Sequence, residues 1–135
     1  AACGAAERSG AAHALAIVAS EVGCVAEIFR KDAVPATLAG SAATREGAQW
    51  IVRALARLPE EELEDLVLEA LHATLTGLAD DADNVREAAL LAGKTVVRVH
   101  GRDNLSVLLP SLETKLAAPS WRIRASAAVL LGELL

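Results

Sequence analysis

From residue 63 onward the non-polar or small positions fall at Leu63, Leu66, Val67, Ala70, Leu71, Thr74, Leu75 and Leu78. Steps of three and four residues keep all of them on one stripe of an α-helix. The pattern predicts a helix from about Pro59 to Leu78, opened by Pro59-Glu60-Glu61-Glu62. Proline is tolerated at the first helical position, and carboxylates favour the positive end of the helix dipole. Asp80-Asp81-Ala82-Asp83-Asn84 then reads as a turn into a second helix, about Val85 to Val99, with Asn84 and Glu87 spaced like a capping box.

The same helix, turn, helix pattern returns on both sides. Upstream, helices are expected over about Val25 to Leu38, broken or kinked by Pro35, and over about Ala43 to Leu58. Downstream, one opens at Asp103 or Asn104 and contains Pro110; its partner starts at Trp121, with Ser120 as its N-cap. A single helix from about Ala6 to Val22, stopped by Gly23, precedes them all. Near the start of each second helix an arginine leads a run of small residues: Arg8, Arg45, Arg86 and Arg124, at spacings of 37, 41 and 38 residues.

That period belongs to stacked helix pairs of the HEAT type. The fold expected is all-α, an armadillo-like superhelix or α-solenoid of three to four antiparallel pairs. Its parts are the second helix of repeat one (6–22), repeat two (25–58), repeat three (59–99) and repeat four (103–135). With no glycine-rich hinge or polar low-complexity stretch, the 135 residues read as one domain.

Composition narrows the reading. Hydrophobic residues make up 53% of the chain, but much of this is alanine, and no apolar run approaches the ~20 residues of a membrane span. One Phe, two Trp and no Tyr or Met leave Ala, Leu, Val and Ile to pack the helices. The missing Met and an end inside the apolar Leu130-Leu131-Gly132-Glu133-Leu134-Leu135 suggest a segment of a longer solenoid. Cys3 and Cys24 lack metal-ligand spacing and read as reduced, buried or half-buried thiols in a cytoplasmic protein. The net charge of −5 argues against bulk electrostatic coating of nucleic acid.

Catalysis requires converging groups, and none converge here. His13, His72 and His100 are scattered without acidic or thiol companions, and His13 reads as a core or half-buried histidine. Ser106, Ser111, Ser120 and Ser126 have no partnered base, and no phosphate loop occurs. No enzyme, cofactor, metal or small-molecule substrate is expected.

Two charged rows remain. Arg8, Arg45, Arg86 and Arg124 read as a structural ladder binding turn carboxylates or carbonyls of adjacent repeats, although aspartates suited to it occur only at Asp80, Asp81 and Asp83. Eight and twelve residues after two of these arginines stand Arg53 and Arg57, then Lys94 and Arg98. Each pair shares a helix face, and stacking aligns the pairs into a basic patch suited to a phosphate backbone or an acidic protein surface. With no aromatic side chains expected beside it, the patch does not suit base stacking. Trp50 and Trp121 are expected to pack between repeats.

Val85-Arg86-Glu87-Ala88-Ala89-Leu90-Leu91-Ala92-Gly93, Leu108-Leu109-Pro110-Ser111-Leu112-Glu113 and Trp121-Arg122-Ile123-Arg124-Ala125-Ser126 running on to Leu135 together resemble a known family. It is the general-control translational activator family, HEAT-repeat activators of the kinase that phosphorylates eukaryotic initiation factor 2 alpha. The resemblance implies an internal segment of a large cytoplasmic scaffold. Such a scaffold would contact the ribosome, through rRNA or ribosomal protein, and proteins of the starvation and translational stress pathway. A generic protein-interaction solenoid, of the tubulin-binding, transport-receptor or phosphatase-scaffold type, is the alternative.

Overall fold

A computed structural model describes residues 5–58 and 64–135. Among the described residues there are seven helices and no strand. Helix α1 is Ala5–Val22, and Gly23 ends it at φ 77°, a left-handed conformation that glycine adopts without steric cost. Helix α2, residues 25–36, is a composite of α-helical Val25–Ile28, π-helical Phe29–Ala33 and α-helical Val34–Ala36. Then come α3 (Ala42–Ala56), α4 (Val67–Leu78, led by a 3-10 turn at Glu64–Leu66), α5 (Asp83–His100), α6 (Leu105–Lys115) and α7 (Trp121–Leu134).

Helices α1, α3, α5 and α7 stack side by side as one layer, and α2, α4 and α6 form the other. The stripe read from the sequence of α4 is the core: Leu66, Val67, Ala70, Leu71, Thr74, Leu75 and Leu78 are all buried. Leu63, like Pro59-Glu60-Glu61-Glu62, lies outside the described residues. Full burial of a side chain such as Leu71 contributes about 1.5–3 kcal/mol. Ala88, Ala89 and Ala92 on α5, and Ala12, Ala16 and Ala19 on α1, let neighbouring helices approach closely. Gly77 marks a close approach: a Cβ there would lie 2.6 Å from Gln49 Nε2 and 2.7 Å from the Ala89 Cβ. Only glycine lets α4 sit this near α3 and α5.

Several local expectations are corrected. Pro35 does not break its helix; the ladder widens to a π register just before it, with the Val34 amide donating to the Phe29 carbonyl. That shift accommodates the residue that has no amide to donate. Asn84 does not cap α5, because that helix already begins at Asp83 and the Asn84 side chain bonds elsewhere. Ser120 occupies the N-cap position of α7, but its hydroxyl makes no capping bond. His13 is exposed, since it lies to one side of the buried stripe of α1 formed by Ala12, Ala16 and Ala19.

Candidate inter-repeat and partner-binding surface

Three of the four aligned arginines, Arg45, Arg86 and Arg124, share one geometry. Arg45 donates from Nη1 to the carbonyls of Ala39 (2.9 Å) and Gly40 (3.0 Å), and Arg124 donates to those of Ala118 (2.8 Å) and Pro119 (2.9 Å). Arg86 likewise reaches the Asp80 carbonyl and adds an ion pair with Asp83. These carbonyls lie in the turn between the two helices of a repeat, where helix ends leave acceptors unmatched. One guanidinium carries five donors, so it closes the turn and keeps an edge free.

Arg45 uses that edge on the following repeat. Its Nε and Nη2 hold the two oxygens of Asp80 at 2.7 and 3.1 Å. The bidentate bond is the main reason Asp80 is held below the ordinary aspartate range, with the Ala82 amide assisting. At the position of Asp80 the other turns carry Ala39 and Ala118, so this rung cannot repeat.

Arg8 instead pairs with Glu46, whose residue exposure is 1%. The same carboxylate accepts from Asn84 Nδ2 at 2.9 Å and from Trp50 Nε1 at 3.3 Å. One buried side chain thus ties the second helices of three successive repeats. Next to it Gln49, fully buried, donates to the Ala73 carbonyl at 3.0 Å and fixes α4 against α3. Nothing in the residue pattern marked Glu46; it follows Arg45 just as exposed Glu87 follows Arg86.

The basic patch is divided by its surroundings. Arg98 forms a two-bond pair with Glu133 at 2.7 and 3.0 Å, and Lys94 approaches the same carboxylate at 3.7 Å. These bonds, Arg98 foremost, lower the Glu133 pKa. Arg53 lies over the Trp50 ring, 5.6 Å from its centroid, and burial together with the like charge of Arg57 pushes its pKa down. Among the described residues neither Arg53 nor Arg57 has a carboxylate within ion-pair distance. An aromatic ring therefore does stand in the patch, contrary to expectation, because positions three apart share a helix face.

Trp50 is half-buried against the core, but Trp121 is 65% exposed and does not pack between repeats. Its place at the start of α7 corresponds to Asp83 at the start of α5, a position that faces solvent there too, with an 85% exposed side chain. His72 and Ser111, both expected to be inert, meet across the other layer at 3.2 Å. Cys24 is free and half-buried, whereas Cys3 lies outside the described residues. Among the described residues no group of three or more His, Cys, Asp or Glu side chains is arranged to hold a metal ion.

Bonds from side chain to side chain between repeats join residues 35 to 39 positions apart, as in Arg8–Glu46, Glu46–Asn84, Arg45–Asp80, Arg98–Glu133, Arg30–Glu69 and His72–Ser111. They reproduce the repeat in three dimensions. Over residues 30–135 the chain matches the family model described as stalled ribosome sensor GCN1, HEAT repeats. The chain belongs to the GCN1 HEAT-repeat family. The eIF-2-alpha kinase activator GCN1 of Saccharomyces cerevisiae is 34% identical over 133 residues, 96% of this chain, and that of Dictyostelium discoideum is 35% identical over 98% of it. The stalled ribosome sensor GCN1 of Homo sapiens is 44% identical over 61 residues, 45% of this chain. The chain spans only 5% of the length of the first two relatives and 2% of the human one. No solved structure matches it significantly.

Proposed function

We propose that this segment is a non-enzymatic scaffold element of a cytoplasmic, ribosome-associated activator of the eukaryotic initiation factor 2 alpha kinase, acting in the starvation and translational stress response. The observation that carries the reading is the one-repeat separation of these bonds from side chain to side chain, set beside relatives named kinase activator and stalled ribosome sensor. Polar groups that in an enzyme would converge on substrate here hold successive helix pairs in register.

Contact with rRNA or ribosomal protein is assigned to the basic patch, centred on Arg53 and Arg57. The Trp50 ring braces Arg53, and Lys94 and Arg98 on the next helix of the same layer share Glu133. Ribosome co-sedimentation of the full-length parent tests this. Charge reversal at Arg53, Arg57, Lys94 and Arg98 is expected to lower the bound fraction and flatten its salt dependence. Unchanged, salt-independent binding rules the patch out and favours a protein-only interaction solenoid.

A further inference from the structure

Successive repeats meet through equivalent positions, so their junctions can be compared residue by residue. In the repeat register the residue after each repeat arginine is matched with the residue two places before the next one. Between repeats two and three these are Glu46 and Asn84, and they are bonded at 2.9 Å. Between repeats one and two the same register positions are Ser9 and Ala43, which offer no such pair, and a groove of about 330 Å³ lined by Arg8, Thr44 and Gly47 lies between α1 and α3. Between repeats three and four they are Glu87 and Arg122, opposite charges on opposite walls of another groove of about 330 Å³.

In this arrangement the second pair is unmade. Glu87 is exposed, and Arg122 lies against Trp121, 5.5 Å from its ring centroid. Leu78, Leu90 and Ala125 line the groove beside them. Arg45, which could have drawn Glu87 inward as Arg8 draws Glu46, is held by Asp80 instead. Contact between α5 and α7 is also much less extensive than between α3 and α5.

We infer that the junction of repeats three and four is a joint with a second, closed arrangement, latched by an ion pair between Glu87 and Arg122 at the register positions that Glu46 and Asn84 occupy one repeat earlier. Closing moves the N-terminal end of α7 toward α5 and covers the apolar lining of the groove. It also takes Arg122 off the Trp121 ring. One stacking contact and some side-chain freedom are exchanged for an ion pair and buried apolar surface, so the two arrangements lie close in free energy. A change of angle at one junction is carried along a stacked array, which makes this pair a regulator of the bend of the rod.

The test uses the full-length parent with Leu90→Cys and Ser126→Cys, one on each wall of the groove, and follows their disulfide by peptide mass spectrometry under mild oxidation. A bond requires the two Cα atoms to come within about 7 Å. The bond is expected to form, and Glu87→Gln or Arg122→Gln to slow it about three-fold, the shift an exposed ion pair supports. High salt should act in the same direction. The exchange of Glu87→Arg with Arg122→Glu should restore the rate, and the thermal midpoint should stay unchanged throughout. Failure of the bond to form, equal rates in the neutral variants, or slowing that the exchange does not rescue would overturn the latch.

Discussion

The junction of repeats two and three and the junction of repeats three and four use the same positions to opposite effect. At the first, Glu46 is buried and receives Arg8, Asn84 and Trp50 while Asp80 takes Arg45, and Gly77 lets α4 close onto the Gln49 and Ala89 side chains. At the second, Glu87 and Arg122 stand apart across an open groove beside an exposed Trp121. Both carboxylates belong to an Arg-Glu dipeptide at the start of a helix of the same layer. The difference teaches that stiffness in this array is set by which long-range partner reaches the glutamate, one repeat away on either side.

The two junctions differ most at Glu46 and its counterpart Glu87. Glu46→Ala removes a buried acceptor shared by three part-buried donors and leaves a cavity in its place, and is expected to cost about 2–3 kcal/mol in chemical denaturation. Glu87→Ala, on the exposed twin, is expected to stay within about 0.5 kcal/mol. Equal losses at the two positions would erase the distinction between the junctions.

A smaller effect is expected with acid. The Asp80 pKa is depressed by Arg45, so its contribution is full above the ordinary aspartate pKa and is lost as pH falls through the lower, folded value. Stability should therefore decline below about pH 4, and Asp80→Asn should flatten that decline while lowering stability at neutral pH. Denaturation midpoints recorded between pH 7 and pH 3 check both parts. A decline of unchanged steepness in Asp80→Asn would remove Asp80 from the account.

Much of the fold was legible because it rests on local signals. The stripe from Leu66 to Leu78, the stop at Gly23 and the spacing of the four arginines each follow from helix geometry or from one residue's chemistry. The site was legible only in part. Arg53, Arg57, Lys94 and Arg98 could be aligned by counting, but their partners could not: Glu133 comes from the next repeat, and Trp50 required seeing that Arg53 turns back along its own helix. Asn84 resembled a cap because its spacing to Glu87 is that of one; the structure gives it to Glu46, 38 residues away. Burial of Glu46 and exposure of Trp121 have no local signature. Each depends on which side chains the neighbouring repeats present.

Repeats one to three form a tied block, and the array loosens between α5 and the N-terminal end of α7, while Glu133 ties the other end of α7 to Arg98. Hydrogen exchange of the full-length parent, read peptide by peptide, tests it most directly. Amides of α3 and α5 are expected to exchange together and slowly, through one shared opening, whereas those of α7 exchange through a separate and smaller one. Amides of α7 as protected as those of α5, and lost in the same event, would contradict it.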